Sequence, residues 1–295
     1  MAIKGTTKLL GVIGYPVEHS LSPLMHNAAL ADLGADYVYL PFPIHPDALG
    51  QAIAGFAAIG LRGFNITIPH KQAVIPLLDN VSEVAQAIGA VNTVWRRENR
   101  WYGTNTDAVG FLAALKELDW DWKTVPALIL GSGGAARAVV AACHQLGCSQ
   151  IWVAGRSPGK LAAFTQSWSA TPEIAAKLSG LPWGQLSDYL PKAGLVVNAT
   201  PVGMHPHVEN SPLSEWEIGM LGEGAIAYDL IYTPRPTQFL QRAKAAGLTP
   251  IDGLEMLVQQ GAAALELWLE QPVPVAVMRR ALLNHLQPLS AKDSR

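Results

Sequence analysis

The stretch "PALILGSGGAARAVVAACHQLG", residues 126–147, constrains the fold more than any other part of the chain. An apolar run, Ala127 to Leu130, ends in Gly131-Ser132-Gly133-Gly134-Ala135-Ala136, and a helical pattern follows at once. A strand that passes through a tight glycine turn into a helix is the first half of a βαβ unit. The next strand then lies parallel to the first. The spacing G-x-G-x-x-A gives each small residue a task. Gly131 permits the turn, Gly133 lets backbone N–H groups approach an anion, and Ala136 lets the helix pack close to its strand. The anion would sit on a helix N-terminus, where unpaired N–H groups and the helix dipole favour negative charge. Those requirements describe the pyrophosphate of a dinucleotide, with a purely structural glycine-rich turn as the ordinary alternative.

The alternation continues along nearly the whole chain. Apolar, β-rich runs predict strands near 8–13, 37–42, 62–68, 91–96, 100–103, 126–131, 150–154, 194–199, 225–231 and 249–252. Helical patterns lie near 23–33, 46–58, 82–88, 108–118, 134–146, 158–168, 236–246, 254–270 and 274–285. Such alternation predicts parallel sheets with crossover helices, an α/β fold. With 295 residues, 49% of them hydrophobic and 15% charged, the chain can fill two cores. The segment "DWDWKTVP", 119–126, reads as a linker before the second sheet, and "SAKDSR" at the end as a frayed tail.

A net charge of -2 without a basic block gives no reason to expect nucleic acid or an anionic membrane as partner. Cys143 and Cys148 form neither a disulfide framework nor a metal-binding spacing, so no metal is expected and a reducing compartment fits. No signal region precedes the first strand, and no apolar run approaches the roughly 20 residues that span a bilayer. The expectation is a cytoplasmic protein.

The strand after the glycine loop, "QIWVAG", ends at Gly155. An NAD site would place Asp or Glu about here, against the ribose 2'-hydroxyl. This chain has Arg156-Ser157 and then Lys160, cations that suit a 2'-phosphate and point to NADP. A solvated arginine after a strand is the ordinary alternative.

The first half of the chain carries polar residues beside strand ends. Ser20 and Ser22 stand between an apolar strand and Pro23, where a serine followed by proline also makes an ordinary helix start. In "RGFNITIPHK", Phe64, Ile66 and Ile68 alternate with Asn65 and Thr67, and Lys71 lies beyond the strand's carboxyl end. Open α/β sheets place ligands at that edge. In isolation Lys71 reads as a solvent-facing lysine. Asn92 interrupts an apolar strand, and Asp107 stands where a helix cap would. On the helix at 254–270, Glu255, Gln259, Glu266 and Glu270 share one arc, while Gln260 is a lone amide among Met256, Ala264 and Leu267. A buried amide needs partners, and a ligand is one candidate.

Taken together, "HSLSP" at 19–23, "NITIPHK" at 65–71, "GAVNT" at 89–93, "GTNTD" at 103–107, "GSGGAAR" at 131–137, "NATPVGM" at 198–204, "YDLIY" at 228–232 and "DGLEMLVQQG" at 252–261 resemble the shikimate dehydrogenase family. The pieces occur in the family's order and cover nearly the whole chain. The resemblance implies two α/β domains. Residues 1–106 and 254–295 would form the substrate domain, with the C-terminal helices returning to it, and 107–253 a Rossmann-type NADP-binding domain. It implies the reversible NADPH-dependent reduction of 3-dehydroshikimate to shikimate, on the route to chorismate and the aromatic amino acids. Ser20 and Ser22 would hold the substrate carboxylate. Thr67, Asn92, Asp107 and Gln260 would contact its hydroxyls, Tyr228 would border it, and Lys71 with Asp107 would form the catalytic pair. Gly131, Ser132, Gly133, Gly134 and Ala135 would receive the pyrophosphate. Arg156, Ser157 and Lys160 would hold the 2'-phosphate, and Thr200, Met204 and Gly253 would line the nicotinamide side. The family often has Asn-Arg-Thr where this chain has Gly155-Arg156-Ser157, so one side chain is missing there.

Two other functions fit less of this pattern. One is a dehydrogenase of broader specificity that also oxidises quinate. The other is a non-catalytic NADP-binding sensor, which would need neither Lys71 nor Asp107. The assembly is expected to be a monomer or homodimer.

Overall fold

The computed structural model describes residues 2–286, so the expected frayed tail lies outside the described residues. Two six-stranded sheets organise the chain. The first contains β1 (Lys8–Gly14), β2 (Tyr37–Pro43), β3 (Gly63–Ile66), β4 (Asn80–Val81), β5 (Thr93–Arg97) and β6 (Arg100–Thr104). Helices α1 (Ser22–Asp32), α2 (Leu49–Ala58) and α3 (Glu83–Ile88) connect them, and α4 (Asp107–Leu115) leads out of this sheet.

The second sheet contains β7 (Pro126–Leu130), β8 (Gln150–Gly155), β9 (Leu178–Pro182), β10 (Leu195–Asn198), β11 (Ile226–Asp229) and β12 (Thr249–Ile251). Its helices are α5 (Gly134–Leu146), α6 (Pro158–Gln166), α7 (Pro172–Ala175), α8 (Glu215–Ile218) and α9 (Gln238–Ala245). The chain then closes with α10 (Leu254–Leu269) and α11 (Val275–Leu286).

The second sheet is parallel throughout, in the order β12-β11-β10-β7-β8-β9. That is the doubly wound arrangement, with its switch point between β7 and β10. Both faces are covered, which is why β7 reads as an unbroken apolar run. Ala127 and Ile129 enter one core, and Leu128 and Leu130 the other.

The first sheet departs from the expected parallel order. Its strands run β2-β1-β3-β5-β6-β4, with β1, β2 and β3 parallel but β3–β5 and β5–β6 antiparallel. The β5–β6 reversal comes from the two-residue turn Glu98-Asn99, where φ is 50° and 62°. Two residues can only reverse the chain into a hairpin, and Glu-Asn lacks the glycine that usually announces one. In β1 the alternation holds: Leu10 and Val12 pack beneath α1, α10 and α11, while Ile13 faces the opposite core with Phe56 and Phe64.

The C-terminal helices return to the first sheet, α11 against α1 and α10 against α4. The α4–α10 crossing is tight because Gly110 has no side chain. A Cβ there would lie 2.5 Å from the Met256 carbonyl oxygen and 2.9 Å from Gln260 Cβ. Arg137 of α5 is buried and donates from Nε to the carbonyl of Ile88, the last residue of α3, so a cation meets the negative end of a helix. Its guanidinium also lies over the rings of Phe164 and Trp168 at 5.5 and 5.2 Å. The expected linker is partly core: Trp122 is buried with the strands it precedes. Strand β9 escaped the sequence pattern because "LSGLP" is short and carries Gly and Pro, as edge strands do.

Candidate active site

The carboxyl ends of β1 and β3 and those of β7, β8 and β10 open onto one cleft of about 830 Å³. Each wall follows from a local break in regular structure. Strand β3 stops at Ile66, and Thr67 to Lys71 turn away. Ile68 therefore does not continue the buried face of Phe64 and Ile66. It is 69% exposed and lines the cleft. The turn is pinned where the Thr67 N–H donates to the Ile13 carbonyl and the Val91 N–H to the Lys71 carbonyl, at 2.9 and 2.8 Å.

Lys71 is not solvent-facing. Its Nζ donates to Asp107 Oδ2 at 2.5 Å, and the two side chains are only 15% and 7% exposed. Asp107 is the first residue of α4, but its carboxylate does not cap that helix. No side chain caps α4; the Asp107 N–H donates to Asn105 Oδ1 at 3.0 Å. The carboxylate is thus left for Lys71 on one oxygen and for Asn92 Nδ2, at 2.8 Å, on the other. Asn92 is the centre of this network. Its Oδ1 accepts from the Thr106 N–H and the Thr93 hydroxyl, both at 2.8 Å, and its Nδ2 lies 3.4 Å from Gln260 Oε1. Gln260 is buried as expected, although Leu267, placed beside it on the helical wheel, is 40% exposed.

Ser22 has a surprise of the same kind. It is the first residue of α1, and no side chain caps that helix. Its backbone N–H donates to Ser20 Oγ at 3.3 Å, and both serines line the cleft. The hydroxyl of Ser22 is therefore not consumed by the helix start.

Across the cleft, Gly131 adopts φ 102°, and a Cβ there would lie 2.9 Å from Thr200 Cγ2, so glycine is required both for conformation and for space. Gly133 is the N-cap of α5, again with no side-chain cap, and a Cβ on it would meet nothing within 4 Å. The N-terminal N–H groups of a 13-residue helix thus face an open cradle, which fits a pyrophosphate. A Cβ on Gly134 would lie 3.8 Å from Lys71 Cβ and Cδ. The glycine loop therefore faces the Lys71 side chain directly. Arg156, Ser157 and Lys160 line the same cleft beyond β8, and among the described residues neither cation forms an ion pair.

Of the residues singled out from sequence, Ser20, Ser22, Thr67, Lys71, Asn92, Asp107, Gln260, Gly131, Ser132, Gly133, Gly134, Ala135, Arg156, Ser157, Lys160, Thr200 and Gly253 line this cleft. Two do not. Tyr228 lies inside β11, fully buried and stacked on Phe111 at 4.7 Å. Burial pushes its phenol well above the usual range. The cleft-lining tyrosine is Tyr232, three residues past the strand end. Position relative to the strand's carboxyl end was the signal that separates them. Met204 sits in the turn closed by its N–H to the Pro201 carbonyl, with Gly203 at φ 102°, and that reversal leaves it 42% exposed and away from the cleft.

Thr200 is held by a buried network that sequence alone did not single out. Asn198 Oδ1 accepts from the Thr200 N–H and hydroxyl at 3.1 and 2.7 Å, and Asn198 Nδ2 donates to Asp229 at 3.0 Å. Burial pushes the Asp229 carboxyl up to about 6, against the hydrogen bonds from Thr237, Ile231 and Asn198.

The family model for the shikimate dehydrogenase substrate binding domain matches residues 12–94, and that for the shikimate 5'-dehydrogenase C-terminal domain matches residues 253–283. A shikimate dehydrogenase (NADP(+)) of Synechocystis is 60% identical over 97% of this chain and 98% of its own length. Among solved structures, a shikimate dehydrogenase in complex with NADP+ superposes with a TM-score of 0.87 at 36% identity, covering 97% of this chain and 98% of its own. The Thermus thermophilus shikimate 5-dehydrogenase in complex with NADP(H) and shikimate gives 0.82 at 39% identity, over 94% and 99%. At 60% identity along almost the full length of both chains, this chain belongs to the shikimate dehydrogenase family.

Proposed function

We propose that this protein catalyses the reversible NADPH-dependent reduction of 3-dehydroshikimate to shikimate. The observation that carries the proposal is the Lys71–Asp107 pair, nearly withdrawn from water and facing the glycine loop at the base of the cleft. NADPH, when bound, supplies the hydride that reduces the ketone carbon.

The chain's own residues do the rest. The Lys71 ammonium donates a proton to the ketone oxygen and in reverse accepts it from the hydroxyl. Asp107 holds that ammonium in place, and Asn92 fixes Asp107 by bonding its second oxygen. Ser20 and Ser22 bind the carboxylate at the other end of the substrate. Thr67, Asn92, Gln260 and, in place of Tyr228, Tyr232 orient its hydroxyls. The uncapped start of α5 receives the pyrophosphate, Arg156 and Lys160 the 2'-phosphate, and Thr200 and Gly253 border the nicotinamide.

In this reading residues 1–106 and the helices after 254 serve the substrate, and 107–253 serve the cofactor. The protein works in the cytoplasm as a monomer or homodimer without nucleic-acid partners. No described helix is long and apolar enough to cross a membrane. The test is direct: purified protein with shikimate and NADP+ should generate reduced-nicotinamide absorbance. Failure with shikimate but turnover of quinate would replace the substrate assignment, and binding of NADP+ without turnover would favour a sensor.

A further inference from the structure

Strand β9 pairs in parallel with β8, and the last residues of the two, Pro182 and Gly155, stand opposite each other. The chain leaves these two neighbouring strands at Arg156 and at Trp183, which opens a short 3-10 turn, and both residues line the cleft. Trp183 is half-buried. It packs partly against the core around Leu181 and Leu186, and it lines the cleft. Past the carboxyl ends, the order from the middle of the sheet outward is glycine loop after β7, Arg156 after β8, Trp183 after β9. Among the described residues that line the cleft, the aromatic rings are Trp183 and Tyr232, and Tyr232 follows β11 on the opposite side of β7.

We infer that Trp183 is the platform for the adenine ring of the dinucleotide, an inference that rests on the NADP-dependent reading above. With the pyrophosphate on the glycine loop and the 2'-phosphate at Arg156, the adenine is the group carried toward the outer strand. It presents a flat π-face, and an indole is the best flat partner a protein offers. Gly155 contributes no side chain at this point. Trp183, which follows the neighbouring strand, supplies contact area beside it. Arg156 then reads the phosphate that distinguishes NADP from NAD, and Trp183 holds the base that both share.

The test separates these two roles. Dissociation constants for NADP+, NAD+ and adenosine 2',5'-bisphosphate are measured calorimetrically on wild type, Trp183→Ala, Trp183→Phe and Arg156→Ala, with thermal melts as a folding control. Trp183→Ala should weaken all three ligands by a common factor of about 5- to 100-fold. Trp183→Phe should recover most of the loss, and it guards against an alanine variant that folds poorly. Arg156→Ala should weaken NADP+ and the bisphosphate but not NAD+. Adenosine 2',5'-bisphosphate should also quench part of the tryptophan fluorescence in wild type and less of it in Trp183→Phe. Equal affinities in wild type and a folded Trp183→Ala would overturn the inference while leaving the NADP reading intact. So would a loss confined to NADP+ and the bisphosphate, since Trp183 would then only support the Arg156 loop. A wild type that binds neither NADP+ nor the bisphosphate would overturn both.

Discussion

Replacing Lys71 with Met isolates the proton-transfer role, because methionine keeps most of the alkyl volume and removes the charge. Two magnitudes are at stake. The first is catalytic: a positioned general acid contributes about 10²–10⁴-fold, or roughly 3–5 kcal/mol of barrier. The second is structural. At 2.5 Å the Lys71–Asp107 pair has about 7 kcal/mol of Coulomb attraction at an effective dielectric near 20. Most of that is offset by the desolvation already incurred. Asp107 also keeps its bond from Asn92 and borders an open cleft, so the net loss of stability should be about 1–3 kcal/mol, a few degrees in Tm. The expected result is therefore a kcat lowered by at least about a hundredfold, a small drop in Tm, and NADP+ affinity close to wild type. Steady-state kinetics in both directions, differential scanning calorimetry and cofactor titration measure the three. A kcat within about threefold of wild type would refute the reasoning and leave the pair as a structural salt bridge. An increase confined to the KM for shikimate would also refute it, since Lys71 would then bind the substrate without moving its proton.

Other expectations follow from particular contacts. Because neither serine caps α1, Ser20→Ala and Ser22→Ala should each raise the KM for shikimate with little change in Tm, and an unchanged KM in both would place the carboxylate elsewhere. Arg156→Ala should lower NADP+ affinity about ten- to several-hundred-fold, the worth of one or two charge-assisted bonds, and spare NAD+; parallel losses for both cofactors would show that Arg156 only shapes its loop. His26 is fully buried, stacked on Tyr39 at 4.2 Å, and neither ring nitrogen finds a partner, since the adjacent Asn65 spends its amide on Tyr39, Asn92 and Thr93. Burial lowers its pKa from 6.5 to about 3, so the unfolded chain takes up this proton first. The stability contributed by the neutral ring is complete above pH 6.5 and is lost as pH falls from there toward 3. Between pH 6.5 and 5 the loss should reach about 2 kcal/mol in urea unfolding, and His26→Phe should abolish that share of it; acid limbs that stay parallel in the two proteins would disprove the coupling.

Much of the site was legible because its chemistry sits on short local patterns. The glycine loop, the lysine beyond β3 and the cation after β8 each follow from a strand that ends and a turn of fixed size. Roles that depend on what crosses the cleft were not legible in that way. Asp107 looked like a helix cap, yet no side chain caps α4, and Lys71 looked solvent-facing until the start of α4 brought a carboxylate to it. Tyr228 and Tyr232 are four residues apart and chemically identical, and only the point where β11 stops puts one in the core and the other in the lining of the cleft.

By itself, the sequence determined the α/β class and the glycine loop of the nucleotide half, since hydrophobic periodicity and small-residue spacing are local and repeat along the chain; the return of the last helices came only from the resemblance to the family. The tertiary structure alone decided the mixed order of the first sheet, the partnership of Lys71 with Asp107 and the nearness of Trp183 to Arg156. Those depend on a two-residue turn without glycine, on the glycine-permitted crossing of α4 and α10, and on the register of a weak edge strand. Each joins segments distant in sequence, and contacts of that kind are set by which surfaces pack, a property no local pattern carries.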